Sequence, residues 1–224
     1  MNIKQLCQTF LSMVAAGTPL PAHAAIEPSA ADQSLGAQRY LIPKPGSLRL
    51  VVRHAGYAQQ RRATLKSFGQ DSAIVSAPFA PGLELVLVSD SVLASTVIDS
   101  DMAHRIGLSP ADAMALGRRQ VLMGLPAVPR PDDIDEGVIT SPKIDYIASL
   151  LLADGWDELN SVLGERLIVA VPSDDQIVIA TASDAHERRK IAAYVGQMHR
   201  EAARSVSAHL YARKNGAWIL ADNG

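Results

Sequence analysis

Tyr146-Ile-Ala-Ser-Leu-Leu-Leu-Ala-Asp-Gly-Trp156 and, soon after it, Arg166-Leu-Ile-Val-Ala-Val-Pro-Ser-Asp-Asp175 are the stretches that decide how this chain is built. The run from Ile147 to Ala153 is apolar but for Ser149, and short, which predicts a buried strand. Trp156 to Leu163 fits a short helix that Gly164 ends. Arg166 to Val171 and Gln176 to Thr181 read as two further strands joined by Pro172-Ser-Asp-Asp175, a run of turn-forming residues. Strands joined by so short a turn pair antiparallel.

The flanking sequence extends the same pattern. Leu48, Leu50 and Val52 alternate with Arg49, Val51 and Arg53, the period of a strand with one wetter face. Leu83-Glu-Leu-Val-Leu-Val88 and Val92 to Ile98 read as adjacent strands split at Ser89-Asp-Ser91. Pro78, Pro81 and Gly82 mark a loop. Gln59 to Phe68 fits either a return strand or a short helix. Ser109-Pro110-Ala-Asp112 is a helix start: Ser109 caps, Pro110 needs no N–H at the first position, and Asp112 meets the positive dipole end. That helix should run to about Met123 and stop at Gly124, with Ala113, Leu116, Gly117 and Val121 along one small, apolar face. Ser183 or Asp184 caps a second long helix, Ala185 to about Arg204, striped by Ile191, Tyr194, Val195, Met198 and Ala202. Asn215-Gly216 then joins a closing hairpin. Helices and strands do not alternate strictly, so the expected class is α+β: a largely antiparallel sheet with two longer helices packed on it, in a single domain over residues 47–224.

The 224 residues suffice for one buried core plus a tail. Lys and Arg (21) nearly cancel Asp and Glu (23), so no broad field for nucleic acid is expected. Aromatics, at 4%, are too sparse for a base-stacking platform. One cysteine, Cys7, excludes an internal disulfide and any multi-thiolate metal site. No apolar run reaches the ~20 residues of a membrane-spanning helix.

Residues 1–24 admit two readings. Lys4, an apolar middle from Leu6 to Ala16, and the small-x-small pattern Ala22-His23-Ala24 predict a signal peptide cleaved before Ala25, and hence export to the periplasm. Ile3, Leu6, Cys7, Phe10, Leu11 and Val14 equally form the stripe of a retained amphipathic helix in a cytoplasmic protein. Residues 25–46, rich in Ala, Ser and Pro, read as a linker.

With these elements laid out, Asp145-Tyr146-Ile147-Ala148-Ser149-Leu150, then Trp156, then Val171-Pro172-Ser173-Asp174-Asp175 form an ordered set. It resembles the YtpQ-like family, bacterial proteins without an assigned activity, over about residues 83–220. The Ser109 helix and Ser205-Val-Ser-Ala-His-Leu-Tyr211 are similar to that family's preceding helix and closing strand. The departures are polar: Asp174 stands where the family has arginine, and Asp145 and Ile147 where it has asparagine and glutamate. The resemblance implies the fold rather than a reaction.

A search for chemistry finds little that converges. There is no phosphate-binding loop, dinucleotide fingerprint or nucleophile elbow. His23, His54, His104, His186, His199 and His209 are widely spaced, as lone histidines are, and no metal or cofactor is expected. Asp132-Asp133-Ile-Asp135-Glu136-Gly137 lacks the glycine and glutamate of a calcium loop at their required places, and reads as a solvated acidic loop. Arg61-Arg62, Arg118-Arg119 and Arg188-Arg189 read as solvated faces, Trp156 and Trp218 as core anchors. Ser149 with His209 makes a nucleophile–base pair only if the fold joins them. Asp174 and Asp175 are the candidate acid/base pair, since adjacent carboxylates separate their pKa values, although turn chemistry accounts for both. The expected function is a non-enzymatic interaction or binding module, with a protein as one kind of partner. The alternatives are a hydrolase-like enzyme using Asp175, with Asp174 or a histidine, at the Pro172–Asp175 turn, and a small-ligand binder.

Overall fold

The computed structural model describes residues 43–67, 69, 71–91, 95–134 and 138–221. The two readings of residues 1–24, and the linker through residue 42, lie outside the described residues. From Pro43 onward the chain forms one compact unit.

Two antiparallel sheets carry the fold. In the first, β1 (Leu48–His54) pairs along its length with β3 (Leu83–Asp90), from Leu48↔Ser89 to His54↔Leu83. The far edge of β3 takes β2 (Ser76–Ala80) and then β4 (Ser95–Val97). The second sheet orders its strands β5-β7-β6-β8-β9: β5 is Val138–Thr140, β6 Leu167–Ser173, β7 Gln176–Thr181, β8 Tyr211–Lys214 and β9 Ala217–Leu220. Five α-helices accompany them among the described residues: α1 (Tyr57–Ser67), α2 (Ser100–Arg105), α3 (Pro110–Met123), α4 (Trp156–Leu163) and α5 (Ala185–Glu201). The α+β class, the antiparallel pairing and the two longer helices, α3 and α5, are as expected, with the strands divided between two sheets. No helix among the described residues is long and apolar enough to cross a membrane.

Alternation along the strands explains the packing. Leu48, Leu50 and Val52 of β1, with Leu83 and Leu87 of β3, share one core with Leu167, Val169, Val171, Ile177 and Ile179 of the second sheet. The intervening residues Val51, Val86 and Val88 face the other way, onto Ala58 of α1 and Val121 of α3. In the second sheet Ile168, Ala170, Val178 and Ala180 meet Ile191 and Val195 of α5. Both faces of β1 are therefore covered, and the wetter face expected there is buried through Val51 and Arg53.

The local signals hold where they are strongest. Ser109 Oγ accepts from the Asp112 amide, Pro110 opens α3, and Gly124 closes it. Asp184, rather than Ser183, caps α5 by accepting from the Glu187 amide. Asn215 (φ +50°) and Gly216 (φ +74°) make the left-handed turn of the last hairpin. Gln59 to Ser67 resolves in favour of helix, α1, and Phe68 lies outside the described residues. Pro78 lies within β2, not in a loop; β2 flanks β3, and the register shifts beside Pro78, an arrangement that tolerates proline.

Ile147 to Ala153 is a correction. Ile147–Leu152 is a 3-10 helix, entirely buried, entered through Tyr146 at φ +63°. Its carbonyls find side-chain donors in place of a ladder: Trp156 Nε1 on Leu150 O (2.8 Å), Trp218 Nε1 on Leu151 O (3.1 Å) and Arg118 Nη2 on Leu152 O (2.7 Å). Ser149 Oγ in turn accepts from Val52 N, covering part of the free edge of β1. The run holds a single β-branched residue, Ile147, a composition poorly suited to a strand.

Gly117 lets α3 lie on that same edge. A methyl group there would stand 2.7 Å from Leu87 Cδ1, 3.0 Å from Leu50 N and 3.2 Å from Arg49 C. Two of these atoms are backbone and cannot rotate away. Gly117→Ala should therefore destabilise: overpacking costs about 1–3 kcal/mol and exceeds the helix-propensity gain of about 1 kcal/mol. Gly124→Ala, with its nearest neighbour at 3.6 Å, should stay within about 0.5 kcal/mol of the parent. Thermal unfolding of the two variants checks the contrast.

Candidate functional site

The turn at Asp174-Asp175 owes its position to Pro172. Lacking an N–H, Pro172 sits where the β6–β7 register shifts, between Ala170 and Ser173. Beyond that bulge β6 bonds to the segment after α5: Ser207 N donates to Val171 O, Val206 N to Pro172 O, and Asp174 N to Arg204 O. Ala148 N and Ile144 N then tie down the carbonyls of Asp174 and Asp175. Five backbone bonds thus fix two adjacent carboxylates in different surroundings.

Asp174 turns inward and is only 1% exposed. Arg53 Nη1 donates to its Oδ2 at 2.7 Å, and the Arg53 side chain is itself buried. Arg204 Nε lies 2.9 Å from Oδ1 but is not aligned as a hydrogen bond, so that oxygen feels the charge and has no directed donor. Burial pushes the Asp174 carboxyl above its ordinary range; the Arg53 and Arg204 guanidiniums oppose this, and Asp175 adds to it. Arg204 also donates through Nη2 to Asp145 at 2.9 Å, a bond that holds its own pKa above the usual arginine value. Asp175 is half-buried and accepts from Ser173 Oγ at 2.5 Å, the contact of a turn residue.

Above the ion pair opens a cleft of about 270 Å³, lined by Arg53, His54, Tyr57, Ala203, Arg204 and Ser205. The Arg53 guanidinium lies 5.6 Å from the Tyr57 ring centre, and His54 meets the same ring edge-on at 5.6 Å. Asp174 thus serves as the buried counter-ion beneath two arginines that reach the cleft.

The other candidates separate. Ser149 is fully buried and occupied by Val52 N, while His209 precedes β8 and bonds through its amide to Ser207. Trp156 and Trp218 are core anchors, edge-to-face at 5.1 Å. Arg62 pairs with Asp71, Arg118 with Asp154, and Arg188 donates to Glu165 O, so one arginine of each basic pair serves its own local contact. Asp133 caps the turn at Arg130, and residues 135–137 of the acidic loop lie outside the described residues. Among the described residues no three His, Cys, Asp or Glu side chains are grouped to hold a metal.

Arg53 and Arg204 escape a reading of sequence alone. Arg53 continues a strand alternation as though on a wet face, and Asp174 stands 121 positions away. The available signal is the inward side of β1: Arg53 shares it with Val51, and an arginine there requires a counter-ion. No family model, no characterised protein and no solved structure matches this chain.

Proposed function

We propose that this protein is a non-catalytic binding module and that it belongs with the YtpQ-like proteins. The observation that carries the reading is the state of Asp174. A general acid or base must reach a substrate proton within hydrogen-bond distance, and Asp174 is sealed beneath Arg53 and Arg204. Asp175, the other candidate, is engaged by Ser173 within its own turn. The two carboxylates therefore hold the β6–β7 turn and organise the arginines above it. The resemblance supports the same view: two of the positions departing from the family pattern, Asp145 and Asp174, share one partner in Arg204.

The test is a turnover panel of aryl esters, phosphomonoesters, phosphodiesters and glycosides, run with wild type and Asp175→Ala. The expected result is no saturable turnover by either protein. Saturable turnover by wild type that Asp175→Ala abolishes, with the thermal midpoint unchanged, would establish the hydrolase reading instead.

A further inference from the structure

α5 packs on Ile168 and the other β6 and β7 residues of one sheet face, and the same face continues onto β8 and β9 beyond the helix. There a cleft of about 360 Å³ opens. Its floor comes from three neighbouring strands, through Ile168 of β6, Ala212 of β8 and Ile219 of β9. Ile219 is 37% exposed and the adjoining Leu220 43%. The wall is of a different character. Arg188 on α5 and Arg213 and Lys214 on the hairpin all line the opening.

These cations are not equally satisfied. Arg213 is paired with Asp157 at 2.8 Å. Arg188 gives Nη2 to the Glu165 carbonyl at 3.0 Å, while its Nε is buried with no acceptor. Neither Arg188 nor Lys214 has a carboxylate partner among the described residues. Among the described residues of the lining, Glu165 is the one acidic side chain, against three cations. A buried donor without an acceptor is costly, and a guanidinium missing its anion invites one.

We propose that this cleft binds a small amphipathic anion, an acyl or aryl carboxylate, with the apolar body on Ile168, Ala212 and Ile219 and the charged head between Arg188 and Lys214. Each half of the site excludes a different competitor. A neutral chain leaves Arg188 without its anion, and a bare carboxylate leaves the apolar floor uncovered. The volume is within the range of small-molecule sites, about 300–1,000 Å³. The site lies on β6, β8, β9 and α5, away from the Arg53 and Arg204 cleft.

The inference rests on the reading of the chain as a binding module and gives that module a ligand class. Titration calorimetry with octanoate, octanol and acetate tests it, with amide chemical shifts used to locate the contact. Octanoate should bind saturably and shift the amides of Ala212 and Ile219, with octanol and acetate each at least about tenfold weaker. Arg188→Gln should weaken octanoate at least about tenfold, as should Lys214→Gln, an exposed change that keeps the test sound if Arg188→Gln unfolds. Absence of octanoate binding, equal affinity for octanol, or indifference to Lys214→Gln overturns the site. None of those outcomes touches the non-catalytic reading, which falls to turnover alone.

Discussion

Trp156→Ala is expected to lower the stability of the fold by about 3–5 kcal/mol, the cost of emptying a buried tryptophan site. Three separate losses combine in that figure. The ring is 1% exposed and lies in the core that both sheets share, so its removal opens a cavity where little can collapse. Its edge-to-face contact with Trp218, at 5.1 Å, disappears; such pairs contribute about 0.5–1.5 kcal/mol. Leu150 O then loses its indole donor inside the core, an unsatisfied group costing about 1–3 kcal/mol. Trp156→Phe helps to separate the terms, because it keeps most of the apolar volume while dropping the N–H and the packing of one ring. Urea unfolding should order the proteins as wild type, Trp156→Phe, Trp156→Ala, from most to least stable. Against a total of about 5–15 kcal/mol for a domain, the alanine variant is close to the limit of folding. A Trp156→Ala protein within 1 kcal/mol of wild type would show that the 3-10 helix does not depend on its indole clamps.

The same clamps explain what could be read from sequence and what could not. α3 was legible because its instructions are local: Ser109, Pro110 and Asp112 fix its start within one turn, and Gly124 its end. The hairpin at Asn215-Gly216 is legible for the same reason, since two positive φ angles suit those residues and few others. Ile147–Leu152 was not. A run that is apolar but for Ser149 says that nearly every side is buried, and strand and 3-10 helix both satisfy that demand. The choice lies with the donors that reach the carbonyls, of which Trp218 is 67 positions away. The candidate site divides along the same line. Asp174 and Asp175 were visible as a turn, because turn chemistry is local. The difference between them was not, because it depends on Arg53 and Arg204 arriving from other elements. Division of the strands between two sheets is likewise a property of long-range pairing, which no single segment encodes.

Arg53→Met carries the second large effect, and pH gives it a signature that packing loss lacks. At pH 7 the variant keeps an aliphatic stem, loses the guanidinium that lies over Tyr57, and leaves Asp174 buried with Arg204 as its remaining cation. Removing one member of a buried ion pair costs about 3–5 kcal/mol, most of it from the uncompensated charge. Burial already raises Asp174 above its ordinary value of 3.8, and Arg53 is the foremost influence opposing that rise, so the variant should raise it further. A raised folded-state pKa means that the native protein binds the proton more tightly than the unfolded chain. The stability linked to that proton is full below about 3.8 and is lost as pH rises through the folded value. Relative to wild type, Arg53→Met should therefore be much less stable at pH 7, with the gap narrowing steadily as pH falls towards 4 and the carboxyl takes up its proton. Asp174→Asn, which has no charge to lose, should show no such narrowing when compared with Asp174→Asn/Arg53→Met. Arg204→Ala should cost far less than Arg53→Met at pH 7, because that side chain is half exposed and solvent screens its charge. Urea midpoints for the five proteins at pH 4 and pH 7 decide between the two origins of the loss. An Arg53→Met deficit that is the same at both pH values would make Arg53 a packing element on Tyr57, and would leave Asp174 indifferent to its nearest cation.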